Sequence, residues 1–157
     1  MKGLWLFVIA LVALIAVPAF AQDKPANNME ILRQKIKADK KLLVAVNMDL
    51  TESEAKGFWP VYDAYQADLQ VLNERIGKLV VQYADLYNSK TLTDDTAKSL
   101  LDEALAIDQA EVSMRQGYVP KLLAVLPARK VARYLQIENK IRAVIKYGLA
   151  DGIPLAR

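Results

Sequence analysis

The sequence predicts an all-α protein of four helices, an elongated helical hairpin of two long helices flanked by two shorter ones. Three observations carry that prediction. No run of alternating apolar and polar residues bounded by turn residues reads as a strand. From Ala55 to Leu86 an apolar or aromatic residue returns every third or fourth position without a break. The links between periodic stretches are short and polar, and short links make consecutive helices antiparallel neighbours.

Residues 1–21 read as a targeting segment. Lys2, an unbroken apolar run from Leu4 to Val17 and the A-x-A triplet Ala19-Phe20-Ala21 describe a secretory signal peptide, because small alanines fit the two shallow pockets of a signal peptidase. The alternative is an uncleaved anchor, for which the run is just short of the ~20 residues a spanning helix needs. Cleavage after Ala21 leaves a chain of 136 residues with net charge +2, beginning at Gln22. That length is one domain, expected in the periplasm. With no cysteine in the sequence, packing alone must hold it there.

Residues 22–27, QDKPAN, form a polar, flexible lead-in containing Pro25. The helical domain is expected over residues 28–150. Its first helix, 28–47, presents Met29, Leu32, Ile36, Leu43 and Val46 on one face. Thr51 and Glu54 then form a capping box, each able to bond the other's backbone amide. The second helix follows with the seam Ala55, Phe58, Tyr62, Tyr65, Leu69, Leu72, Ile76, Leu79, Tyr83 and Leu86. At 1.5 Å per residue it is ~50 Å long. Pro60 removes one hydrogen bond and is expected to kink the helix without ending it.

Thr93 caps the third helix, and Asp94 and Asp95 follow it, where the macrodipole favours negative charge. The third seam reads Ala97, Leu100, Ala104, Ile107, Glu111, Met114 and Tyr118, with Pro120 near its end and a turn at Leu126. Pro127 opens the fourth helix, 127–147, since its missing N–H would be unpaired there anyway. Val131, Tyr134, Leu135, Ile141 and Ile145 form its apolar face; Gly148 is expected to stop it, leaving residues 151–157 as an irregular tail. A hairpin this thin buries little by itself. The seam of the second helix therefore either wraps the shorter helices around it or meets a second copy of the chain; a dimer built mainly on this helix is expected to break when Leu72 and Ile76 are replaced by charged residues.

Composition narrows the chemistry. The 157 residues include no histidine and no cysteine, which excludes Ser-His-Asp and Cys-His nucleophile systems, thiol redox chemistry and cysteine-ligated metals. The expectation is a binding protein, not an enzyme, with no catalytic residue, cofactor or metal. A formal net charge of +3, from 21 basic and 18 acidic residues, is too weak for nucleic-acid binding. The charge is nevertheless uneven: the first and fourth helices together carry +8 and the two middle helices −6. That asymmetry reads either as a basic surface for acidic protein segments or lipid headgroups, or as complementarity between neighbouring helices. Glu111 and Glu138 lie on apolar stripes, each with an arginine four residues on, Arg115 and Arg142, and are expected to form pairs along their own helices.

Two sets of residues are candidates for binding. Phe58, Trp59, Tyr62 and Tyr65 cluster beside Pro60, either as core or as a partly exposed ledge for unfolded proteins. Arg33, Lys37 and Lys40 on the first helix, with Arg129, Arg133 and Arg142 on the fourth, would draw acidic or unfolded chains toward that ledge.

The segments Leu50-Thr51-Glu52-Ser53-Glu54 and Leu126-Pro127-Ala128-Arg129-Lys130, the latter followed by Tyr134-Leu135-Gln136-Ile137-Glu138, resemble the LTxxQ motifs of the Spy/CpxP group of small periplasmic all-α proteins. Glu54 and Lys130 stand where that group has glutamine, and Pro127 stands in place of threonine. The resemblance covers most of residues 28–147. It implies a cradle-shaped antiparallel homodimer that binds unfolded or damaged envelope proteins without ATP, or that regulates an envelope stress sensor. Metal-binding members use histidine-rich segments, which this chain lacks. The competing class is an adaptor, a helical dimer that binds one defined envelope partner and has no general client activity.

Overall fold

The computed structural model describes residues 40–156. The signal segment, the lead-in, Arg33 and Lys37 lie outside these residues. The protein is all-α, and no strand occurs among the described residues. Residues 40–48 belong to the first helix, α1. It is followed by α2 (Glu52–Asn88), α3 (Asp94–Leu123) and α4 (Ala128–Gly152). No helix among the described residues is long and apolar enough to cross a membrane.

Local chemistry explains where the helices begin and end. Asp49, with φ of 48°, reverses the chain after α1. The Thr51–Glu54 capping box is complete: the Thr51 amide donates to Glu54 Oε2 at 2.8 Å, and the Glu54 amide donates to Thr51 Oγ1 at 3.3 Å. Thr93 and Thr96 form a second such box on α3. At the end of α2 the Thr91 amide donates to the Leu86 carbonyl and the Lys90 amide to the Tyr87 carbonyl, with Lys90 at φ 58°. This is a Schellman motif with a lysine at the position glycine usually fills. Both α2 and α3 run through their internal prolines. Pro60 and Pro120 are exposed, so water can satisfy the carbonyls they leave unbonded.

Two sequence expectations change at α4. Pro127 is its N-cap, one residue outside the helix, and its carbonyl accepts from the Lys130 and Val131 amides. The helix also runs past Gly148 to Gly152. A helical glycine costs only ~1 kcal/mol, and the partial burial of Ile145, Gly148 and Leu149 offsets that. The tail beyond is held by a 2.8 Å bond from the Tyr83 hydroxyl to the Pro154 carbonyl.

Cross-helix bonds give the directions. Glu54 pairs with Lys130, Gln66 with Glu138, and Asn73 with Arg142, so α4 runs parallel to α2. Glu111 with Arg142 and Asp108 with Lys146 make α4 antiparallel to α3. Lys40 meets Gln66 and Glu138, and Lys41 meets Asp63, which lays α1 against α2 and α4. The core runs between these helices through Val44, Met48, Phe58, Tyr62, Tyr65, Leu69, Tyr118, Leu122, Leu126, Val131 and Tyr134. Each large apolar side chain buried there contributes ~1.5–3 kcal/mol. One glycine permits a close approach: a Cβ on Gly57 would lie 3.0 Å from Val125 Cβ in the α3–α4 turn.

The faces used for packing differ from two expectations. On α1 the buried residues are Val44 and Met48, while Leu43 and Val46 point outward. On α2 the seam serves the chain's own core, with Leu72 buried, so a dimer centred on Leu72 would have to open that core.

Candidate binding surface

The aromatic residues beside Pro60 are core. Phe58 is 0% exposed, and Tyr62 and Tyr65 are also buried; an exposed ledge built from these three is corrected by their burial. They continue into rings contributed by the other long helices. Phe58 and Tyr134 meet edge-on at 5.1 Å between centroids, as do Tyr65 with Tyr118 at 5.2 Å and Tyr65 with Tyr134 at 5.7 Å. Edge-on geometry sets the positive rim of one ring against the negative face of the next. Burial pushes the Tyr62 hydroxyl up to about 12, helped by the charges of Glu138 and Asp63. Burial and then Glu138 likewise raise Tyr65 and Tyr134. Trp59 alone of the four is half-exposed, with the Lys41 ammonium 5.2 Å from its ring centroid.

The basic candidates divide. Lys40 Nζ donates to Gln66 Oε1 at 2.7 Å and to Glu138 Oε2 at 2.8 Å. Glu138, only 1% exposed, also accepts from Gln66 Nε2 at 2.9 Å. Arg142 is buried, which corrects its place among the surface bases. Its guanidinium forks onto both Glu111 oxygens and donates to Asn73 Oδ1 at 2.8 Å. Arg129 and Arg133 are exposed on α4.

Glu111 and Glu138 therefore bond across helices, and the expected pairs with Arg115 and Arg142 along their own helices do not form. Burial pushes the Glu111 carboxyl up, but the Arg142 hydrogen bonds and charge, with Lys146 and Arg115, hold it below the ordinary value. No buried side-chain nitrogen or oxygen among the described residues lacks a partner. These bonds link all four helices. Complementarity between helices also accounts for the exposed pairs Lys41–Asp63 and Lys146–Asp108, each worth at most ~1 kcal/mol.

The surface most able to bind another molecule is apolar and lies outside the candidates named from sequence. On α1, Leu42, Leu43 and Val46 are exposed, and on α3, Leu101, Leu105, Val112 and Leu123 are exposed. α1 exposes its three because Val44 and Met48 take its inward face, with Lys40 and Lys41 reaching to α2 and α4. The signal was present: Leu43 and Val46 were in the sequence's apolar stripe, read there as the packed face. Among the described residues no three acidic, histidine or cysteine side chains gather as metal ligands. Comparison with protein-family models, curated proteins and solved structures gives no match.

Proposed function

We propose that the protein is exported, cleaved after Ala21, and acts in the periplasm as an ATP-independent binding protein for unfolded or damaged envelope proteins, as a divergent member of the Spy/CpxP group. In this reading α2 and α3 form the elongated hairpin, α1 and α4 flank it, and two copies associate antiparallel. The observation that carries the client-binding reading is the outward apolar row Leu42, Leu43 and Val46 on a helix rich in lysine. Apolar area of this kind holds exposed hydrophobic segments, and Arg129 and Arg133 speed their arrival. The two motif-like segments also meet: Lys130 Nζ donates to Glu54 Oε2 at 2.6 Å and to the Asp49 carbonyl at 2.7 Å. An ion pair thus joins the two positions where the group has glutamine.

The test is suppression of aggregation of several unrelated unfolding proteins. The protein is expected to suppress all of them, and Leu43→Asp with Val46→Asp to abolish the effect without lowering the melting temperature. Failure with every client would refute the reading.

A further inference from the structure

We infer that the outer face of α3 is the seat of a second copy of this chain, in an antiparallel pairing centred on Val112. α3 has two apolar faces. One turns inward through Leu100, Ile107, Tyr118 and Leu122. The other carries Leu101, Leu105, Val112, Val119 and Leu123, spaced four, seven, seven and four residues apart. On this second face Leu101 is 57% exposed, Leu105 59%, Val112 46% and Leu123 48%. The stripe extends ~33 Å at 1.5 Å per residue. A stripe of that length fits a straight helical partner.

The spacing is symmetric about Val112. Turning a second α3 end for end sets Leu101 against the partner's Leu123, Leu105 against the partner's Val119, and Val112 against the partner's Val112. The polar residues beside this stripe keep the symmetry to within one residue: reflection about Val112 sets Asp108 level with the partner's Gln116 and Gln109 level with the partner's Arg115. Asp108 and Arg115 lie on one flank of the stripe, so Asp108 comes within one residue, ~1.5 Å along the axis, of the partner's Arg115, and this arrangement occurs twice. Arg115 has no ion-pair partner among the described residues. Asp108 has one carboxylate oxygen on Lys146 at 3.1 Å and a second to offer. A parallel pairing keeps Asp108 level with Asp108 and Arg115 level with Arg115, and so brings neither to an opposite charge. The charges thus favour the antiparallel direction, and the self-complementary stripe is what a two-fold interface requires.

This deepens the proposed dimer by naming its face and register, and it uses neither Leu43 nor Val46. The experiment is disulfide trapping on protein purified from cells expressing the full chain, which contains no cysteine, so an introduced thiol can join only another copy. Val112→Cys is expected to form a covalent dimer under mild oxidation. Leu101→Cys alone is expected to form no covalent dimer, and an equimolar mixture of Leu101→Cys with Leu123→Cys to form the mixed disulfide. Asp108→Arg should weaken association about tenfold, and adding Arg115→Asp should restore it. Val112→Asp, at an exposed position, should give a monomer with unchanged helical circular dichroism. A monomer for the unmutated protein in sedimentation would overturn the inference, as would a dimer that survives Val112→Asp or Leu101→Cys trapping as readily as Val112→Cys. Client capture is read separately, so its loss would count against the proposed function and leave this result standing.

Discussion

Glu111 and Arg142 hold two formal charges inside the bundle, so their pairing can be broken in ways that differ sharply in cost. Glu111→Gln leaves a buried guanidinium without its counter-charge and is expected to cost ~3–5 kcal/mol in urea unfolding, whereas Glu111→Leu with Arg142→Met should be near neutral. Because Glu111 is held below its unfolded value of 4.5, its contribution is complete above that pH and fades as pH falls through the folded value. Stability measured from pH 7 to pH 2 should show that acid limb, and Glu111→Gln should flatten it. The tyrosines act at the opposite end. Tyr62, Tyr65, Tyr118 and Tyr134 are all raised, first by burial. Their contribution is therefore complete below pH 10, and stability should fall steeply above it while phenolate absorbance lags behind that of the unfolded chain. Phe58→Ala, which opens a cavity in the ring cluster, should cost ~3–5 kcal/mol.

The helices themselves carry residues that local rules would improve. Gly77 in α2 and Gly117 in α3 are exposed, with open space where a Cβ would stand. Alanine at either should raise stability by ~1 kcal/mol. Gly57→Ala should show no such gain, because the methyl group would press on Val125 in the turn before α4. Lys90→Gly should stabilise by ~1 kcal/mol, since only the left-handed backbone at the end of α2 is strained by a side chain there. Melting temperatures of the four variants check the set, and a gain at Gly57 equal to that at Gly77 would show that the turn yields. At this scale the sequence was largely legible. The box at Thr51, the cap at Thr93 and the proline before α4 are i-to-i+3 or i-to-i+4 matters, and they stand close to where the pattern placed them. The end of α4 was not legible, because packing beyond Gly148 outweighs the small local cost of a glycine.

For the molecule as a whole, the proposed export requires that N-terminal sequencing of protein from a periplasmic extract begin at Gln22; an intact Met1 in the membrane fraction would exclude it. Capture of acidic unfolded chains should slow as salt rises above ~0.1 M, where the Debye length is ~10 Å and shrinking, with dissociation nearly unchanged, as measured by stopped-flow and by surface binding. The sequence by itself determined the helical class and the extents of α2 and α3, because periodicity and capping act within a few residues along the chain. It also placed Phe58, Tyr62 and Tyr65 on one stripe, without deciding whether that stripe met water. Only the tertiary structure decided three matters. Val44 and Met48, not Leu43 and Val46, turn inward on α1. The outer stripe of α3 stays open beside an equally apolar inner one. Glu111 finds Arg142, 31 residues away, instead of Arg115. In each case two faces or two partners satisfy the same local rule, and the choice is made by where the neighbouring helix lies.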